Sequence, residues 1–403
     1  MSKAEINDYL SKCDEDLANN VIYRVYGMPG PIFMEKNDDT PPTPEPGPDY
    51  SIPFYVENIT QEDETLTITG IGSEENGYLE IPVEYSTDGT NWSSFGTTGA
   101  TPLTMTIQPG DKVYLRATTN SWDAPINRRC EISGISKIGG NIMSLLYGSS
   151  FTGNETTFPS GSMTNFYYLF DGLDNVNINL TSASELILPA TTLAEECYNS
   201  MFSNCTSLIT APQLPATTLA DSCYENMFQY CSSLTTAPAL PATTLAPGCY
   251  FSMFKGCTSL TTAPELPATT LAEECYNSMF SNCSSLTTAP ALPATTLAPG
   301  CYFSMFYDCE SLTTAPELPA TTLDAGCYRN MFDGCTSLTI NNIPQLPATT
   351  LAESCYENMF ISITMGEDEY SVWCSENIPA AANYDESIHG VLFRLSGGPT
   401  PLQ

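Results

Sequence analysis

The sequence predicts an α+β, multidomain chain: an N-terminal docking segment, a small β-sandwich, then a solenoid of short repeats closed by terminal caps. Three observations predict it. Cys197, Cys223, Cys249, Cys275, Cys301 and Cys327 recur every 26 residues. A proline-dense stretch at 40–49, T-P-P-T-P-E-P-G-P-D, separates residues 1–39 from the rest. Between that stretch and the repeats, alternating apolar runs are broken by turn residues.

Residues 1–39 combine a helical pattern (Ile6, Leu10, Cys13, Leu17) with an alternating run from Val21 to Tyr26. One short helix and one strand cannot bury a core of their own, so this segment is expected to dock on a partner chain. Five prolines in 40–49 make a stiff, extended linker. In 50–125, Val83–Ser86 and Trp92–Phe95 flank a turn at Thr87–Thr90, and Leu103–Ile107 and Val113–Ala117 flank Pro109-Gly110-Asp111. That density of strands and turns predicts an Ig-like β-sandwich, with Trp92 packed into it. Residues 126–164, with Ile132, Ile138, Ile142, Leu145 and Leu146, are expected to cap the solenoid's first coil, and 361–403 its last.

The array itself spans 165–360. Its unit reads C-Y-x-x-M-F-x-x-C-x-S-L-T-T-A-P-x-L-P-A-T-T-L-A-x-x. Cys355 follows Cys327 by 28 residues, after an insertion around Asn341 and Asn342, and Ile363 replaces that copy's second cysteine. Asn165 to Glu196 is a degenerate first copy in which Leu169-Phe170 stands for Met-Phe. Cys197, Tyr198, Met201, Phe202 and Cys205 lie at i, i+1, i+4, i+5 and i+8, which predicts one face of a two-turn helix. Extended segments would follow it. The same set recurs as Cys223, Met227, Phe228 and Cys231, and as Cys249, Met253, Phe254 and Cys257. One such unit cannot cover its own apolar face, whereas stacked copies can.

Composition bounds the function. With 46 Asp and Glu against 12 Lys and Arg, the net charge is −34. Such a chain repels phosphate backbones and anionic lipid, so charge-driven nucleic-acid or membrane binding is excluded. Only 14% of residues are charged and 42% are hydrophobic, which suits a folded chain rather than a disordered acidic one. No apolar run approaches a membrane span, so no membrane insertion is expected. The first twenty residues carry five acids and no apolar h-region of a secretory signal, which predicts synthesis in a reducing cytoplasm.

No catalytic, cofactor or metal residue is expected. The cysteine pairs are separated by seven residues, too far for a zinc knuckle, and no histidines accompany them. Reduced, buried thiols filling coil corners are the expectation, with cross-coil disulfides after release as the alternative. His389 is the only histidine, and Cys374 its only conceivable nucleophilic partner, without an evident ordering carboxylate. Adjacent acids such as Glu195-Glu196 read as solvated charges, and the threonine doublets as exposed strand edges.

The M-F-x-x-C-x-S-L-T unit with L-P-A-T-T-L-A resembles the BspA-type leucine-rich repeats and the related 26-residue bacterial surface-protein repeat. Such arrays occur in surface proteins of gut Bacteroides-type bacteria and in virion proteins of their phages. The resemblance implies a leucine-rich-repeat solenoid used for adhesion or display, with no catalytic residues. It implies a non-enzymatic phage fibre or decoration protein on the virion surface. Residues 1–39 would hold a capsid or tail protein, and copies would form a homo-oligomer. A bacterial cell-surface adhesin is the alternative, and a polysaccharide-acting enzyme a weaker one. The positions that vary between copies carry the specificity in this reading. Phe251, Phe303 and Arg329 share one outward position, and Tyr230 and Tyr307 occupy neighbouring ones, facing a host glycan or protein.

Overall fold

The computed structural model describes residues 47–71, 83–94, 103–118, 129–133, 137–158, 166–173, 177, 179–379 and 385–395. The docking segment 1–39 and most of the linker lie outside them. Tyr50–Gln403 forms one compact unit.

Among the described residues, seven strands open that unit: β1 (Tyr55–Glu57), β2 (Glu64–Ile71), β3 (Val83–Ser86), β4 (Ser93–Ser94), β5 (Leu103–Ile107), β6 (Lys112–Ala117) and β7 (Arg129–Ser133). Strict alternation in β6 buries Val113, Leu115 and Ala117 and leaves Lys112, Tyr114 and Arg116 half-buried. Those three join one core with Leu66 and Ile107 from a three-stranded sheet ordered β5-β2-β7. The β3–β4 turn is tied by Asp88, whose Oδ1 accepts the N–H groups of Thr90 (2.8 Å) and Asn91 (2.7 Å). Those bonds hold its carboxyl well below the usual range. Trp92 is not packed inside as its aromatic character suggested. It is half-buried beneath the Arg116 guanidinium, 4.2 Å from the ring centroid, because Arg116 is already fixed by Glu84 (2.6 Å).

The second sheet runs directly into the repeats. Its order is β4-β3-β6-β1-β8-β9, where β8 is Lys137–Asn141 and β9 is Ser182–Ile187. β1 is antiparallel to β6 and β8, while β9 lies parallel to β8. From β9 the pairing continues coil by coil, Ser182 to Thr210 to Thr236, and later Thr262 to Thr288 to Thr314. Between β8 and β9, the short helix α1 (Ser144–Tyr147) buries Leu145 and Leu146. Ser144 Oγ accepts the Phe54 N–H (2.9 Å) and donates to the Leu115 carbonyl (3.0 Å). The six-stranded sheet and its core therefore continue into the first repeat.

The expected helix in each repeat is absent, and its place is taken by a run of tight turns. Glu196, Ser200 and Asn204 have φ of 51°, 55° and 61°, one left-handed residue in every four. The N–H groups of Cys197, Asn199, Met201, Ser203 and Cys205 each donate to the carbonyl three residues back. The intervening N–H groups of Glu196, Tyr198, Ser200, Phe202 and Asn204 donate to the next coil at 2.7–3.0 Å, reaching Asp221, Cys223, Glu225, Met227 and Gln229. An α-helix would spend every amide on itself. The turn run spends half on its neighbour, so each coil is zipped to the next as a strand would be.

Inside, side chains repeat as their own images. Phe54, Phe170, Phe202, Phe228, Phe254, Phe280, Phe306, Phe332, Phe360 and Phe393 form one stack with ring centroids 5.3–5.7 Å apart. Tyr198 to Tyr356 form a second at 5.7–6.0 Å. These spacings exceed the strand-like 4.8 Å, as offset stacking requires, and each pair is worth about 0.5–1.5 kcal/mol beyond its burial.

Both ends of the phenylalanine stack are closed by chain outside the regular repeats. Phe54, directly before β1, covers Phe170. At the other end follow β10 (Phe360–Met365), α2 (Glu367–Asn377), α3 (Glu386–His389) and β11 (Phe393–Leu395). There the N–H groups of Ser354, Tyr356, Asn358 and Phe360 donate to Ile388, His389, Val391 and Leu392 at 2.6–3.0 Å. The segment H-G-V-L-F at 389–393 thus stands where C-Y-x-x-M-F would stand in a further coil.

Candidate recognition face

The turn run sets which positions face out. Two of every four residues point inward, and between them lie pairs whose second member takes the left-handed conformation. The first member of the central pair forms an axial row: Tyr167, Asn199, Glu225, Phe251, Asn277, Phe303, Arg329 and Glu357. Its second member, at Ser200, Asn226, Ser252, Ser278, Ser304, Asn330 and Asn358, has positive φ throughout. From Ser200 onward that position holds only Ser and Asn, whose short polar side chains tolerate the conformation, while the degenerate first copy places Tyr168 there (φ 55°).

Phe251 and Phe303 are half-buried rather than fully exposed. The Asn277 between them, although on the outward row, is only 6% exposed. Its Oδ1 accepts the Ser278 hydroxyl (2.8 Å) and its Nδ2 reaches Glu274 Oε1 (3.4 Å). The result is two rings on either side of a recessed amide. Arg329 closes one end: its guanidinium lies 5.8 Å from the Phe303 centroid and pairs with Glu357 at 3.1 Å.

Tyr230 and Tyr307 sit on the adjoining pair of rows. Tyr230 is 44% exposed and left-handed (φ 59°). It lies over Gly256 of the next coil, where a Cβ would come within 2.4 Å of its ring. Tyr307 is half-buried, and Asp308 beside it, followed by burial and Asp333, pushes its phenol up. Acid crowding recurs along the face. Burial, then Glu195 and Glu225, raises the Glu196 carboxyl, and burial, then Asp333 and Glu310, raises that of Asp308. Between 166 and 360 there are seventeen Asp and Glu against Lys255 and Arg329.

The remaining candidates lie elsewhere. Cys197, Met201, Phe202, Cys205, Cys223, Met227, Phe228, Cys231, Cys249, Met253, Phe254 and Cys257 are all buried at 0% exposure, in the interior. Burial raises the thiols, those of Cys223 and Cys275 to about 12. The second thiol of each coil has a partner that sequence reasoning did not foresee. Cys231, Cys257, Cys283 and Cys309 donate to the Phe202, Phe228, Phe254 and Phe280 carbonyls of the preceding coil at 3.1 Å. His389 Nδ1 accepts the Asp385 N–H (2.9 Å), which occupies the lone pair a base would use, and burial raises the Cys374 thiol, away from nucleophilic readiness. Among the described residues, no three His, Cys, Asp or Glu side chains converge as a metal site. Nor is any helix there long and apolar enough to cross a membrane.

Comparison with known protein families, curated proteins and solved structures finds no match for this chain.

Proposed function

We propose that the chain is a non-enzymatic attachment and display protein, a phage fibre or decoration protein whose stacked leucine-rich repeats face the host. One observation carries this reading. Side chains inside each coil are near-identical copies, while the central outward row changes from coil to coil among aromatic, amide, acidic and basic residues. A uniform scaffold presenting a non-uniform row has the construction of a recognition surface. The six-stranded sheet and core that continue into the first repeat support a stiff display element. In this reading residues 1–39 hold the capsid or tail and join copies into an oligomer.

The test deletes residues 1–39 and follows incorporation into particles by electron microscopy. The deleted chain should keep the circular dichroism and thermal transition of its coil stack while disappearing from particles. Normal incorporation of a chain lacking 1–39 overturns the anchor. Detection of the native protein in a bacterial cell envelope, with none on particles, favours the adhesin instead.

A further inference from the structure

We propose that the row around Phe251, Asn277 and Phe303 binds a neutral, extended β-1,4-linked glycan laid along the stack axis, an inference that rests on the attachment role. Strand spacing and the 5.3–6.0 Å between like rings of successive coils bracket the separation of residues two coils apart on one row at about 10–12 Å. In an extended β-1,4 glycan successive pyranoses are turned over, so like faces recur at every second unit. One unit advances such a chain by about as much as one coil advances the stack. Alternate sugar faces can therefore meet Phe251 and Phe303 in register, with the intervening unit over Asn277. An extended peptide is out of step, since its side chains on one face recur at about 7 Å.

The polar groups around the two rings suit hydroxyls. Glu225 precedes Phe251 on the row, and Glu274 lies 3.4 Å from the Asn277 amide. Their carboxylates accept hydrogen bonds from hydroxyls, and the recessed amide supplies a donor to a ring oxygen or hydroxyl. A polyanionic sugar meets these carboxylates with no free cation on the row, since Arg329 is held by Glu357. Lys255, on the neighbouring row, is the single lysine between 166 and 360.

The experiment titrates the full chain by calorimetry with β-1,4-linked gluco-, manno- and xylohexaose, with hexaglucuronate as the anionic control and hexalysine as the peptide control. At least one neutral hexaose should bind, and hexaglucuronate should not. Phe251→Ser with Phe303→Ser should weaken that binding at least tenfold, whereas Val372→Ser, at an exposed site on α2 of the C-terminal segment, should leave it unchanged. Phe251→Leu with Phe303→Leu, which keeps apolar bulk without a flat face, should show the same loss should the serine variant unfold. The inference is overturned by no binding of any neutral hexaose, by binding that survives both double variants, or by binding of hexalysine or hexaglucuronate in their place. Adsorption to host cells, measured in parallel, separates the two claims. Adsorption lost in the leucine variant without hexaose binding by the parent chain sinks the glycan and leaves the attachment role. Adsorption retained by that variant sinks the attachment role of this row.

Discussion

Two cysteines in one coil meet different surroundings. The Phe228 carbonyl accepts both the Cys231 N–H and the Cys257 thiol, each at 3.1 Å. Cys249 makes no such bond and is buried beside the Cys223 and Cys275 thiols of the neighbouring coils. Cys257→Ser would bury a hydroxyl, and the Phe228 carbonyl supplies its acceptor. The two substitutions should therefore diverge in chemical denaturation: about 1 kcal/mol lost for Cys257→Ser and about 2–3 for Cys249→Ser. Equal losses would mean that the thiol–carbonyl bond has no energetic weight. The tyrosine row gives the opposite sign. The hydroxyls of Tyr198, Tyr224, Tyr250 and Tyr302 are buried without a hydrogen-bond partner. Tyr250→Phe keeps the ring stack and removes an unsatisfied donor, so it should raise stability by about 1 kcal/mol. A lower melting temperature for Tyr250→Phe would contradict this.

At the scale of the element, the turn run depends on backbone that most residues resist. Ser304 has φ 50°. Ser304→Gly should be nearly neutral there, while Ser304→Val, β-branched in a left-handed conformation, should cost about 1–2 kcal/mol in the same assay. The C-terminal cap has a comparable point. Gly390 has φ 91°, and a Cβ on it would lie 2.3 Å from Glu357 Cα. Gly390→Ala should detach the segment that mimics a further coil, exposing the N–H groups of Tyr356 and Asn358. Hydrogen exchange should report it: faster exchange at 354–360 is expected, with the central coils unchanged.

For the whole molecule, thiol burial becomes a pH dependence. A thiol in an unfolded chain titrates near about 8.5, whereas Cys223 and Cys275 are held at about 12 by burial. The fold favours the protonated form. This contribution is complete below the unfolded value and is lost as pH rises from there towards 12, by about 1.4 kcal/mol per pH unit for each such thiol. The thiols of Cys197, Cys231, Cys249, Cys283 and Cys301 are raised in the same direction, so the effect is multiplied along the stack. The protein should unfold steeply between about pH 9 and 12, with thiolate absorbance appearing in step with loss of circular dichroism. Thiolate signal from a still-folded stack would contradict the burial argument.

The sequence by itself determined the repeat period, the insertion near Asn341, and which side chains share the interior. A residue that must match its own image in every coil leaves a visible 26-residue echo. The tertiary structure alone decided between helix and turns. Positions i, i+1, i+4, i+5 and i+8 cover about 140° of arc at 3.6 residues per turn and about 90° at four, so both readings put them on one side. Competition for amide hydrogens broke the tie, because only the turn run leaves alternate N–H groups for the neighbouring coil. Phe251, Phe303, Tyr230, Tyr307 and Arg329 were legible as positions that vary. The recess at Asn277, the Arg329–Glu357 pair and the seat of Tyr230 on Gly256 were not. Those depend on which residues the stacking brings side by side, 26 or 28 positions apart in the chain, where no local pattern records them.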